Sequence, residues 1–295
     1  MDLLDGKKLF TKIKGELTCS VNEMKTEGLR APHLVAILIG DDPASKTYVN
    51  AKIKACNEIG FKSTVFNYSD DIYQDELLFK IAECNKSIEI DGIIVQLPLP
   101  KHIDENKVTH AISHKKDVDG FHPINVGRMV LGLPCYLPAT PFGVVSLIKE
   151  YNINTIGKKC LIIGLSSIVG TPMSILMSRN NSFANCTVTL AHSKTKKLKD
   201  LTLAADIIIV AIGVPCFLKS DMVKKGVVII DVGIHRVSSL HTKSGYKLVG
   251  DVDFDDVKDK ATYITPVPGG VGPMTIASLL RNTLYSAKKM IYSHT

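Results

Sequence analysis

The chain has 295 residues, 45% apolar and 22% charged, with a formal net charge of +7. This is enough for two domains with separate cores; no apolar run is long enough to cross a bilayer, and the first residues lack the basic start and apolar core of a secretory signal, which predicts a soluble, cytoplasmic protein. The positive charge favours an anionic small molecule. Dispersed lysines, the absence of Trp and the lack of aromatic and basic interleaving exclude nucleic acid as a partner. The seven cysteines are odd in number and never spaced Cys-x-x-Cys, so neither a disulfide framework nor a metal site is expected, and Cys160 reads as a small core residue.

Asp5 to about Glu27 predicts an amphipathic helix, with Leu9, Ile13, Leu17 and Val21 recurring at helical spacing. His33 to Gly40 is a continuous apolar run of strand length, as in a central strand buried on both faces. From Ser45 to Gly60 the pattern is helical again, and Tyr48 and Lys52, four residues apart, stack a ring above an amine on one face. Ala51, Ala55 and Ile59 form a neighbouring apolar stripe, and Gly60 supplies the left-handed stop. Such a pair is a plausible pocket wall, or simply a half-buried ring beside a solvated charge. A strand near Ser63 to Tyr68, a helix from Gln74 to Lys86 and a strand from Gly92 to Leu97 continue an alternation that predicts a parallel sheet covered by helices.

Gln96 falls where that last strand ends, the side on which parallel sheets bind ligands, and Pro98 and Pro100 stiffen the loop that follows. His102 to His114 reads as a helix. In Lys116 to Pro123, Asp117 and Asp119 flank a valine and in an extended segment point the same way. One of the two suits a ligand-binding carboxylate and the other a structural cap, and spacing leaves open which. A shift toward Gly and Pro over Gly127 to Pro141 marks the passage to a second domain, where Thr140 and Pro141 are expected to cap and start a helix.

Lys158 to Gly164 predicts a strand, Gly164 to Pro172 a glycine-bounded turn, and an apolar helix begins near Pro172. A strand, such a turn and a helix are the usual apparatus for holding a pyrophosphate on backbone N–H groups. Strands over Cys186–Ala191, Asp206–Gly213 and Gly226–Gly233, with a helix over Leu198–Ala204, complete half of a dinucleotide-binding sheet. After the second of these strands comes His192-Ser193-Lys194-Thr195-Lys196-Lys197, with no acid for a ribose 2′-hydroxyl, which favours the 2′-phosphate of NADP; the lysines also fit a solvated helix start. Pro266 to Met274 holds three glycines and three prolines in nine residues, suited to close approach of main chain to a ligand. Ile276 to Ile291 then predicts a helix that packs back on the first domain.

Four stretches, Tyr48-x-x-x-Lys52, Asp91-Gly-Ile-Ile-Val-Gln-Leu-Pro-Leu-Pro100, Lys116-Asp-Val-Asp-Gly120 and Pro266-Val-Pro-Gly-Gly-Val-Gly-Pro-Met-Thr275, together resemble the bifunctional methylenetetrahydrofolate dehydrogenase/methenyltetrahydrofolate cyclohydrolase family over nearly the whole chain. The resemblance implies an α/β fold of two domains: a folate-binding catalytic domain at 1–138, with 272–295 packing back on it, and an NADP-binding Rossmann-like domain at 139–271. It implies oxidation of 5,10-methylenetetrahydrofolate to the 5,10-methenyl form with NADP, then hydrolysis to 10-formyltetrahydrofolate. By the same resemblance Lys52 is similar to the catalytic lysine, Gln96 to the residue orienting its amine, Tyr48 to the ring packed on the folate and Asp119 to the carboxylate gripping the pterin, with Asp117 left structural. Leu97, Pro268, Gly269 and Gly270 complete the implied substrate site. The nucleotide falls to Gly164, Leu165, Ser166, Ile168, Val169, Ser193 and Ile234, and a homodimer is implied.

Two departures stand out. The family's usual Gly-Arg-Ser is Gly164-Leu165-Ser166 here, so the arginine that commonly meets the 2′-phosphate is missing; either the lysines after Ser193 compensate, or NAD is preferred, or the dehydrogenase step is weak. The usual Pro-Cys-Thr-Pro is Pro138-Ala139-Thr140-Pro141, so a thiol there is dispensable.

Overall fold

In the computed structural model, which describes residues 1–239, 242 and 245–292, strand and helix alternate along most of the chain. A short strand, β1 (Asp2–Leu3), leads into α1 (Gly6–Thr26), whose Leu9, Ile13, Leu17, Val21 and Met24 are buried. Then come β2 (His33–Ile39), α2 (Pro43–Ile59), β3 (Lys62–Tyr68), α3 (Gln74–Lys86), β4 (Gly92–Val95), α4 (Glu105–Ala111), α5 (Pro123–Leu131) and α6 (Ala139–Glu150). The second half runs β5 (Lys159–Ile163), α7 (Gly170–Ser178), β6 (Thr187–Ala191), α8 (Leu198–Ala204), β7 (Ile207–Val210), β8 (Val227–Asp231), β9 (His235–Ser238), β10 (Tyr246–Val249), α9 (Phe254–Val257), β11 (Ala261–Ile264) and α10 (Val271–Ala287).

The chain divides into two compact units, Thr11–Ala139 with Ile276–Thr295, and Met1–Phe10 with Thr140–Thr275. In the first, a parallel sheet has the order β3-β2-β4, and all seven residues of the central strand are buried, as an apolar run without alternation requires. Its Val35, Ile37 and Ile39 join Ile93 and Val95 in a core closed by Leu77, Ile81 and Val108 from the overlying helices. Each such side chain contributes about 1.5–3 kcal/mol on burial. At the amino end of the sheet, Asp91 accepts two hydrogen bonds from Arg30 at 2.7 and 2.8 Å and a third from the His33 N–H at 2.8 Å, which ties β2 to β4. The last helix contributes Asn282, donating to the carbonyls of Val118 and Leu137, and Ser286, donating to those of Asp91 and Lys115.

In the other unit six parallel strands have the order β1-β11-β8-β7-β5-β6, and β9 pairs antiparallel with β10. Neither β1 nor β9 to β11 is evident from the sequence. The first is only two residues long, and β9 and β10 alternate only weakly between apolar and polar.

Several expectations are corrected. The helix expected over His102–His114 is only Glu105–Ala111, because the Asp104 carboxylate accepts from the N–H groups of Asn106 and Lys107 and fixes a later start. Part of the Gly127–Pro141 stretch belongs to α5, which His122 caps by accepting from the Ile124 N–H through Nδ1. Thr140 lies inside α6 rather than capping it, its hydroxyl being paired with that of Thr275 at 3.1 Å. The final helix starts at Val271 and ends at Ala287, so the glycine- and proline-rich loop gives its last residues to the first turn, and Ile291 lies beyond the helix.

The Asp117–Gly120 segment is a turn, not an extended stretch. Asp117 is fully enclosed and accepts from the N–H groups of Gly120, Phe121 and His122 and from the Asn125 amide. Burial pushes its carboxyl pKa upward, against the pull of these four donors. Asp117→Ala would orphan them at once. The expected loss is about 3 kcal/mol or more in urea unfolding, and a loss below about 1 kcal/mol would show the turn to be held by other contacts.

Candidate functional site

The first cluster begins with α2. Pro43 stands at its start, Asp42 accepts from the Ser45 N–H at 2.7 Å, and Gly60 closes it in the left-handed region at φ 82°. The caps fix where the helix begins and ends, and its apolar stripe decides which face turns inward. That face carries Ser45, Val49, Lys52, Cys56 and Ile59, so Lys52 belongs to the buried stripe and is only 9% exposed, while Tyr48 beside it is half-buried. The expectation of a solvated lysine is thereby excluded. Burial raises the Cys56 thiol pKa to about 12, so it stays neutral one turn beyond the amine.

A buried amine needs an acceptor, and Gln96 provides one. Its backbone N–H donates to the Ile37 carbonyl directly beyond the end of β4, which sets the residue at the carboxyl end of the sheet. The Gln96 amide nitrogen donates to the Leu97 carbonyl at 2.7 Å, leaving Oε1 to face Lys52, whose Nζ donates to it at 3.1 Å. The amide is therefore oriented from one side and offers a neutral acceptor on the other. Leu97 also begins a cis peptide to Pro98, and both Gln96 and Leu97 are half-buried.

Asp119 belongs to the same unit, half-buried beyond the Asp117 turn. Burial raises its carboxyl pKa, and the positive charge of Lys52 pulls it back down. The two aspartates that spacing could not separate thus differ in environment: Asp117 is saturated by backbone and Asn125 donors, and Asp119 feels the Lys52 charge.

The second cluster lies in the other unit. Between β5 and α7 the backbone passes so close to itself that a Cβ on Gly164 would sit 2.1 Å from the Ala211 carbonyl oxygen, and one on Gly170 1.9 Å from that of Gly164. Only glycine fits either place, and Gly164 adds a φ of 127°. Ser166 Oγ accepts from the N–H groups of Val169 at 3.1 Å and Gly170 at 3.3 Å, so the start of α7 is capped from within the turn. Leu165 is 54% exposed and Ile168 37% exposed, whereas Val169 is buried.

Beyond β6, His192 and Thr195 close a tight turn, with the His192 N–H donating to Thr195 Oγ1 at 2.9 Å and the Thr195 N–H to the His192 carbonyl. Ser193, Lys194, Lys196 and Lys197 are exposed around it. Ile234, 41% exposed, immediately precedes β9. Pro268, Gly269 and Gly270 follow β11; the Gly269 carbonyl accepts from the Lys7 N–H at 3.0 Å and the Gly270 N–H donates to the Pro266 carbonyl at 2.8 Å. Thus Tyr48, Lys52, Gln96, Leu97 and Asp119 share one unit, and the remaining candidates belong to the other.

Sequence reasoning missed a carboxylate pair in the second unit. Asp231 accepts from the N–H groups of Gly233, Asp251 and Val252, and Asp251 from those of Ile212 and Gly213 and from His235 Nε2. The pair ties the segments after β7, β8 and β10 together, next to Ile234. The available signal was a glycine close to each acid, in Asp231-Val-Gly233 and Gly250-Asp251, where a Cβ would collide with the opposite carboxylate.

Residues 4–119 match the catalytic domain of tetrahydrofolate dehydrogenase/cyclohydrolase, and residues 138–291 match its NAD(P)-binding domain. The bifunctional protein FolD of Cytophaga hutchinsonii is 60% identical over 287 residues, covering 97% of this chain and 99% of that protein. The crystal structure of the bifunctional enzyme FolD, a methylenetetrahydrofolate dehydrogenase/cyclohydrolase, from Campylobacter jejuni superposes with a TM-score of 0.92 at 52% identity, covering 98% of this chain and 99% of that one. That of the Trypanosoma brucei N5,N10-methylenetetrahydrofolate dehydrogenase-cyclohydrolase, complexed with NADP cofactor and inhibitor, gives a TM-score of 0.91 at 35% identity, with 98% of each chain covered.

The carboxylate pair generates a pH dependence. Burial raises the Asp231 carboxyl pKa to about 7, above its ordinary 3.8, against three backbone donors. Between those values the folded chain holds a proton that the unfolded chain has released, so stability falls as pH rises toward 7. Asn mimics the protonated acid, so Asp231→Asn is expected to lack this decline. Melting temperatures at pH 5 and pH 8 should show the wild type losing ground to the variant at the higher pH; parallel behaviour would contradict the assignment.

Proposed function

The chain belongs to the tetrahydrofolate dehydrogenase/cyclohydrolase family, and from that premise we propose that it oxidises 5,10-methylenetetrahydrofolate to the 5,10-methenyl form with NADP and hydrolyses this to 10-formyltetrahydrofolate. The observation that carries the reading is the Lys52 amine, drawn into the buried face of α2 and hydrogen-bonded to an amide whose orientation is fixed. An amine so held is a positioned proton carrier. In this reading the Lys52 ammonium polarises the bound folate and orients the water that adds to the methenyl carbon, the water's proton passing to solvent, and Gln96 holds the ammonium in place. Tyr48 packs on the aromatic part of the folate and Asp119 accepts from the N–H groups of the pterin, while Leu97 and Pro268 to Gly270 complete the substrate contacts.

The unit containing Thr11–Ala139 would then carry the folate and the one containing Thr140–Thr275 the nucleotide. The residues present fit a dinucleotide: the crossing at Gly164 and Gly170 keeps the turn between β5 and α7 free of side chains where backbone must come close, and the turn after β6 is basic and without acids. Gly164, Leu165, Ser166, Ile168, Val169 and Ile234 would hold the nucleotide, and Ser193 with its neighbouring lysines the 2′-phosphate. When bound, the nucleotide supplies the hydride acceptor. The reading includes a cytoplasmic homodimer, whose stoichiometry sedimentation would test; among the described residues no helix is long and apolar enough to cross a membrane.

One observation favours a second reading, a cyclohydrolase with a weak or NAD-preferring dehydrogenase step. Leu165 stands exposed in the nucleotide turn and offers a phosphate nothing. Initial rates of methenyl formation with NADP and with NAD, followed by methenyl decay without nucleotide, separate the two. A dominant NADP rate supports the first reading, decay with little rate from NADP the second, and absence of all turnover refutes both.

Two variants sharpen the assignment. Lys52→Ala is expected to abolish both activities, and near-normal methenyl hydrolysis by this variant would overturn the role given to the amine. Leu165→Arg restores a charge-assisted contact of about 1.5–3 kcal/mol, so NADP should bind about tenfold more tightly or better with NAD unchanged. Equal gains for both nucleotides would place the 2′-phosphate elsewhere.

A further inference from the structure

A cavity of about 580 Å3 opens at the amino end of β2 and β4, within the Thr11–Ala139 and Ile276–Thr295 unit. Its volume is that of a small-molecule site. It lies at the other end of the sheet from Lys52: Asp91, on its wall, precedes β4 and Gln96 follows it, roughly 16 Å apart along an extended chain. An occupant there is not held by the residues assigned to the folate chemistry.

The wall is strongly one-signed. Arg30, Lys86, Lys115, Lys116 and Lys289 line it, against the single carboxylate of Asp91. That carboxylate is already saturated by the Arg30 guanidinium and the His33 N–H. Lys116 is likewise engaged, donating to the carbonyls of Cys84 and Ser87. The ammonium groups of Lys86, Lys115 and Lys289 remain, and among the described residues they make no ion pair. Three ammonium groups on the wall of one concavity favour a multiply charged anion there. The rest of the wall includes Leu29, Ile88 and Ile90, which suits a carbon body rather than a bare ion.

We propose that this cavity binds an organic polyanion, a small molecule carrying two or more carboxylate or phosphoryl groups, through Lys86, Lys115 and Lys289. No residue of the turn between β5 and α7 lines this cavity.

Calorimetric titration of the full chain with citrate and with pyrophosphate, at matched ionic strength, tests the proposal, with Lys86→Glu/Lys115→Glu/Lys289→Glu as the comparison. Wild type should bind at least one probe, and the triple variant should bind it more than about tenfold more weakly. Preference for citrate identifies a carboxylate ligand, and preference for pyrophosphate a phosphoryl one. Absence of binding to wild type, equal binding by the variant, or pyrophosphate binding that NADP displaces and the variant retains would each overturn it. A second measurement does not depend on the variant's folding: in wild type, the bound probe should slow acetylation of Lys86, Lys115 and Lys289 relative to Lys101. Unchanged labelling of the three would overturn the proposal as well.

Discussion

A lysine ammonium among Val49, Cys56 and Ile59 is the constraint on which the proposed chemistry depends. Removing such a group from water costs several kcal/mol unless hydrogen bonds and opposite charge replace the lost hydration. Here the replacement comes from Gln96 Oε1 at 3.1 Å and from the field of Asp119. Each partner is fixed by something remote in sequence: Gln96 by the register of β4 against β2 and by the Leu97 carbonyl, Asp119 by the turn that Asp117 organises. The rotation of α2, set by its buried stripe of Val49, Ala55, Cys56 and Ile59, brings the amine to them. Loosening any of these elements would leave a buried charge poorly paired.

Carboxylates in this protein fall into two kinds. Asp91, Asp117, Asp231 and Asp251 are buried and each accepts several donors, so they act as ties between segments. Asp119 is half-buried, and Lys52 is the charge that pulls on it. The distinction matters because a saturated acid has no lone pair left for a ligand, whatever its place in a motif. It assigns Asp117 to structure, and in the proposed reading leaves Asp119 for the ligand.

The nucleotide turn shows a different balance. Its backbone is dictated by two glycines that no other residue could replace, and its helix start is capped internally by Ser166. In the proposed reading, recognition of a 2′-phosphate would be left to side chains around the turn, where Leu165 contributes no charge and the residues after Ser193 are basic and exposed. Lysines are point charges on flexible stems, unlike the planar fork of an arginine. In that reading, preference for one nucleotide over the other would rest on charges carried by flexible stems.

Much of the architecture is written in local patterns. The unbroken apolar run of β2, the four-residue period of α1 and the stop at Gly60 are consequences of burial and backbone sterics that need no partner to be recognised, and the last of them placed Lys52 on its helix. The family's motifs were legible too, because their glycines and prolines are rare in combination. What sequence could not decide was which polar group faces which. That Asp117 rather than Asp119 is saturated, that Gln96 is pinned by its neighbour's carbonyl, that Thr140 sits inside a helix, and that Asp231 meets Asp251 across twenty residues all depend on long-range hydrogen bonds. The cavity beside Asp91 gathers lysines from α3, from the segment before the Asp117 turn and from beyond α10, and only the folded chain brings them to one wall. Periodicity reports which face of an element is buried; the identity of the partner on that face is fixed only when distant segments close around it.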